Sequence, residues 1–131
     1  MNKIIKSVFK QFTSYSLVGV FSVGLDMLFY VIFSEIFLIS KSNSKIISFV
    51  IGSTNSFLGN KLYTFKKRKF NLREPLKFIV LYSISLLANS LTHDYLLEKL
   101  NDYLPLIIAT IISVIINFNG QRLWVFKKSI N

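Results

Sequence analysis

Leu104-Pro-Leu-Ile-Ile-Ala-Thr-Ile-Ile-Ser-Val-Ile-Ile-Asn-Phe-Asn-Gly-Gln-Arg-Leu-Trp-Val-Phe126 is a run of 23 residues with one charge, Arg122, near its end. At about 1.5 Å per residue it is long enough, as a helix, to cross a hydrocarbon core of about 30 Å. Lipid offers the backbone no hydrogen-bond partners, so such a run must be helical despite its many Ile residues. Working back along the chain, three more runs qualify: 12–33 with Asp26, 46–65 with Lys61 near its end, and 78–97 with His93 and Asp94. The expected fold is an all-α membrane protein with four transmembrane helices and no separate soluble domain.

Composition agrees. Of 131 residues, 52 % are hydrophobic and 17 % charged, against about 25 % charged in soluble domains. Without cysteine there is no disulfide or thiolate chemistry, and one His makes no zinc site. The net charge of +10 would suit nucleic acid, but the apolar runs confine that charge to the loops and inner ends, so no nucleic-acid partner is expected. Lys3, Lys6, Lys10, Lys61, Lys66, Lys67, Arg68, Lys69, Arg73, Lys77, Arg122, Lys127 and Lys128 fall on one side; only Lys41, Lys45 and Lys99 fall on the other. The positive-inside rule puts the larger group, and both termini, in the cytoplasm. The first run is too long, and lacks the small-residue site, for a cleaved signal peptide.

The end of the second run, Ser56-Phe-Leu-Gly-Asn-Lys-Leu-Tyr-Thr-Phe-Lys-Lys67, matches the end of the fourth, Asn117-Phe-Asn-Gly-Gln-Arg-Leu-Trp-Val-Phe-Lys-Lys128, 61 residues on. Runs one and three match more loosely, Phe12 with Phe78 and Tyr15 with Tyr82. The chain thus reads as one domain, 1–131, made of two parallel two-helix repeats, about 10–67 and about 76–128, related by an axis along the membrane normal.

Small and polar residues recur at helical spacing in every run, as helix packing requires. The ionisable ones weigh more, being expensive in a bilayer. Lys61 and Arg122 sit about 6 Å from the inner ends and either snorkel to the interface or bind an anion. Asn55, Asn89 and Asn117 lie near mid-depth, where amides can bind hydroxyl groups or one another. Asp26 and His93 lie further out and make an obvious neutralising pair. Tyr63 and Trp124 suit the membrane interface and could also stack on a ligand. No nucleophile–base set, Gly-rich phosphate loop or metal cluster appears, so the chain reads as a non-enzyme without cofactors.

The paired segments Asn60-Lys61-Leu-Tyr63-Thr-Phe65 and Gln121-Arg122-Leu-Trp124-Val-Phe126, with Gly19, Asp26 and Asn89, resemble the GtrA-like family of small four-helix membrane proteins. Gln121, Lys61 and Thr64 depart from the family's commoner Asn, Arg and Val. The resemblance implies a role in cell-surface polysaccharide glycosylation: flipping a polyprenyl-phosphate-linked monosaccharide across the cell membrane, for a polysaccharide or teichoic acid. On that reading Lys61, Arg122, Asn60 and Gln121 take the phosphate on the cytoplasmic side. Asn55, Asn89, Asn117, Asp26 and His93 line the sugar path, with Tyr63 and Trp124 beside it. The rivals are a non-transporting subunit that assists a membrane glycosyltransferase and a small drug or cation exporter. Four helices enclose little volume, which leaves room for a homo-oligomer or partner complex.

Overall fold

The computed structural model describes residues 2–100 and 103–127; Lys128, matched above to Lys67, lies outside them. Four α-helices run along the chain: α1 (Lys3–Val31), α2 (Lys41–Gly59), α3 (Arg73–Leu97) and α4 (Tyr103–Gly120). Three of them pass without a break into a wider π-turn: π1 (Ile32–Ile36) after α1, π2 (Asn60–Thr64) after α2 and π3 (Gln121–Val125) after α4. Among the described residues there is no strand.

The helices overrun the apolar runs at their starts because caps, not hydropathy, set where they begin. Asn2 accepts the Ile4 N–H at 3.3 Å, and Ser40 accepts that of Asn43 at 3.3 Å. α2 therefore begins five residues before its apolar run and includes Lys45.

By length and composition, three helices can cross a membrane: α1 with π1, α3, and α4 with π3. α2 is too polar for that test, and the reason is its packing. Ser44, Ser48, Gly52, Ser56, Asn60 and Thr64 recur every fourth residue and are all buried. Ile46, Phe49, Val50 and Leu58 on the other faces are exposed. The polar stripe lies inward and the apolar residues outward, the reverse of a soluble helix.

The chain divides into two compact units, one ending at Arg68 and the other beginning at Lys69. In the first, α1 packs on α2. Gly52 permits the approach, since a Cβ there would lie 2.9 Å from the Ser22 carbonyl oxygen and 3.0 Å from Asp26 Cβ. Leu17, Val20, Phe21 and Met27 of α1 face outward, as side chains bathed in lipid do.

In the second unit α3 packs on α4. Ser85 and Ser113 each donate a hydroxyl to the other's carbonyl, at 3.3 and 3.4 Å. Phe78 stacks on Tyr82 with centroids 4.2 Å apart, and Ala109 is wholly buried. Ile79, Leu86, Ile107 and Ile111 face outward.

The paired glycines give the register between the units. Gly59 seats on Val18 and Gly120 on Leu81, so α1 and α3 correspond at a separation of 63 residues. This displaces the loose match of Phe12 with Phe78 and Tyr15 with Tyr82 by about one helical turn. Residues one turn apart share a face, so matching apolar side chains alone cannot distinguish the two registers. In the observed one, Asp26 corresponds to Asn89 and buried Tyr15 to buried Phe78.

Candidate functional site

The C-terminal ends of α2 and α4 share one backbone device. The Phe65 N–H bonds the Asn60 carbonyl at 2.8 Å, and the Phe126 N–H bonds that of Gln121 at 2.8 Å. These i to i+5 bonds widen the last turn, a form often found at functional sites. In π2 the chain then leaves through Lys66 at φ 53°, with the Lys67 N–H on the Lys61 carbonyl at 2.8 Å. π2 and π3 each open with a side-chain amide, Asn60 or Gln121, followed by a cation, Lys61 or Arg122.

The side chains around the two amides differ. Asn60 is fully buried; it accepts the Thr64 hydroxyl at 3.0 Å and donates to Ser56 Oγ at 3.4 Å. Thr64 is joined to Ser14 of α1 at 3.0 Å. Its one proton goes to Asn60, so Ser14 is the donor in that bond. Gln121 is just as buried, yet neither Oε1 nor Nε2 has a hydrogen-bond partner. Nor has Asn117 Oδ1, one turn earlier. The substitutions explain this: Thr64 corresponds to Val125 and Ser56 to Asn117, which removes both hydroxyls.

Lys61 is 3 % exposed, with Nζ 6.0 Å from the Phe57 ring centroid. It does not reach outward as a snorkelling lysine would, whereas Arg122 is half-buried. Tyr63 and Trp124 point outward, at 73 % and 41 % exposure, as interface residues do. Trp124 is also held by Lys77 of α3, whose Nζ donates to its carbonyl at 3.4 Å and lies 5.7 Å from the ring.

Higher in the first unit, Asn55 Nδ2 donates to Ser22 Oγ at 2.8 Å, and Ser22 donates to the Val18 carbonyl at 2.7 Å. Asp26 has both oxygens engaged, by Lys45 Nζ at 2.7 Å and Ser48 Oγ at 2.6 Å. The partner that the sequence assigned to His93 is thus supplied by Lys45 within the same unit. His93 stands 3.5 Å from Asp94. Asn89 is half-buried and makes no hydrogen bond among the described residues. An open apolar groove of about 430 Å³, lined by Leu91, Tyr95, Ile108 and Ile112 among others, runs along α3 and α4.

Sequence reasoning overlooked Ser14 and gave no bonding role to Ser22, Lys45, Ser48 and Thr64, which complete these networks. It also overlooked Glu74 at the start of α3, 1 % exposed. A signal for Glu74 was present: it is the only carboxylate among the basic residues from Lys66 to Lys77. Among the described residues no three His, Asp or Glu side chains gather around a metal position.

No curated protein and no solved structure matches the chain significantly. A family model, the GtrA/DPMS transmembrane domain, matches residues 14–126. That span takes in both units, both π-turns and every polar network described above, and its long apolar helices mark a multi-pass membrane protein. The chain belongs to the GtrA/DPMS transmembrane-domain family.

Proposed function

We propose that the chain spans the cell membrane four times with both termini cytoplasmic, and flips a polyprenyl-phosphate-linked monosaccharide for glycosylation of a surface polysaccharide or teichoic acid. α2 is the fourth span: the stripe Ser44, Ser48, Gly52, Ser56 and Asn60 is turned inward, and from Ile46 to Gly59 the one polar residue on its exposed face is Thr54. The excess of Lys and Arg at one set of ends sets the orientation.

The observation that carries the reading is the doubled π-turn, each with an amide and then a cation at the inner end of a membrane helix. Each such cation suits a phosphate headgroup, while the prenyl tail stays in lipid or along apolar helix surfaces. The reaction chemistry belongs to partner glycosyltransferases, and the chain itself is not an enzyme.

A second reading, a non-transporting subunit that assists a glycosyltransferase, draws on the first unit, whose polar groups join α1 to α2. An exporter of cations is disfavoured because Asp26, the acid it would use, is neutralised by Lys45.

The test uses purified protein in sealed vesicles with a labelled polyprenyl-phosphate sugar. Wild type should equilibrate the label between leaflets, and Lys61→Ala and Arg122→Ala should each slow it about ten-fold or more, the worth of one charge-assisted hydrogen bond. A wild type that moves nothing, while gene deletion still strips the sugar from the surface polymer, favours the subunit reading.

A further inference from the structure

The two copies differ most in what their polar side chains are bonded to. In the first, Asn60, Asn55 and Asp26 are each engaged by neighbours at 2.6–3.4 Å. In the second, the buried Oδ1 of Asn117 and both side-chain polar atoms of Gln121 stand without a partner, and the half-buried Asn89 side chain makes no hydrogen bond; among the described residues of the first, the one buried amide atom in that state is Gln11 Oε1. Most of the would-be partners in the second copy have become apolar; the exception is Ser56, which corresponds to Asn117 itself. Besides Thr64 and Val125, Ser48 corresponds to Ala109 and Lys45 to Leu106 across α2 and α4. Buried polar atoms without partners are uncommon and destabilising, so three of them about one helical turn apart, on Asn117 and Gln121, ask for a reason.

We infer that the copies have divided the work: apart from the cation Lys61, the polar side chains of the first are scaffold, and Gln121 with Asn117 in the second is a subsite for the hydroxyl groups of a neutral sugar. A sugar hydroxyl suits the buried amide of Gln121 better than a phosphate oxygen does. A carboxamide presents one acceptor and two donors. A phosphate oxygen would satisfy Nε2 and set its charge against Oε1, leaving the acceptor unpaired. A sugar hydroxyl both donates and accepts, and neighbouring hydroxyls meet both ends of the amide. The cation Arg122 follows Gln121 directly, so the phosphate of the same lipid has a separate partner. In this conformation Gln121 is closed off, and its bonds form when the site opens to admit the headgroup.

The inference rests on the proposed substrate class and deepens it, and the experiment separates the two. The probes are polyprenyl phosphate and the same lipid carrying glucose, galactose or N-acetylglucosamine. Binding to the full chain in vesicles is read from Trp124, the only tryptophan, three residues from Gln121. Wild type should prefer at least one glycosylated lipid over the bare one about ten-fold, the worth of one to two net hydrogen bonds. Gln121→Met should abolish the preference, leave affinity for the bare phosphate unchanged and raise the melting temperature, because it removes two unpaired atoms at nearly constant volume. Asn60→Leu should instead lower the melting temperature and leave the preference intact in the folded fraction. If both lipids bind and Gln121→Met keeps the preference, the subsite is overturned while the transport reading stands. If Gln121→Met lowers the melting temperature as Asn60→Leu does, the amide has a resting partner and the subsite is overturned. If neither lipid binds wild type, the transport reading fails and takes the sugar subsite with it.

Discussion

Asp26 illustrates how a charge is kept inside a membrane helix. Its two oxygens divide between Lys45 and Ser48, but the two partners differ in worth. Lys45 is 58 % exposed along its side chain, where solvent and salt weaken an ion pair to about 1 kcal/mol or less. Ser48 is fully buried, and without Asp26 its hydroxyl keeps only a longer bond to the Lys45 carbonyl at 3.1 Å. Asp26→Ala should therefore lower stability by about 1–3 kcal/mol and Lys45→Ala by about 1 kcal/mol at most. Thermal unfolding in micelles, monitored by helix signal, would rank the two; equal losses would mean that the ion pair dominates.

At the scale of helices, hydropathy revealed that the long elements exist but not how they end. The apolar runs located all four helices, and for the three long apolar ones the reason is that lipid leaves the backbone no partner outside the helix. The π-turns left no trace in composition, since an i to i+5 bond and an i to i+4 bond use the same residues. Lys45 went unnoticed as the partner of Asp26 for a related reason. The run of apolar residues starts at Ile46, and only the Ser40 cap draws Lys45 into α2. The amide–cation pairs were legible as a repeat, whereas their bonding was not, because the match of Ser56 with Asn117 and Thr64 with Val125 matters only once the side chains are placed. Two tests belong here. Gly52→Ala places a Cβ against the backbone of α1 and should destabilise the first unit by about 1–3 kcal/mol. Lys66→Gly relieves a left-handed residue at φ 53° and should stabilise the same unit by up to about 1 kcal/mol. Both can be read as shifts in unfolding midpoint, and a neutral Gly52→Ala would mean that α1 and α2 can separate slightly without loss.

Over the whole chain, the two units share a plan and differ in their interiors. That difference can be erased. The variant Asn117→Ser, Gln121→Asn, Val125→Thr gives the second unit the hydroxyls that close the first around Asn60. It should be more stable than wild type, should still bind bare polyprenyl phosphate, and should no longer distinguish glycosylated lipids. Unfolding midpoint and lipid binding on the same preparation would check this. A loss of stability would show that the positions correspond in sequence without being interchangeable.

The unequal amides also bear on why both hairpins are encoded in one chain. Two identical hairpins associating as separate subunits would carry the same residue at each π-turn, so any change that altered ligand choice would also loosen the half that keeps the shape. Joined in one gene, the halves mutate independently. With Asn117 and Gln121 holding the sugar as inferred above, positions 117 and 121 can then drift toward a different sugar while Ser14, Asn60 and Thr64 stay fixed. Descendants of such a chain would diverge in specificity first in the second half, at little expense to folding.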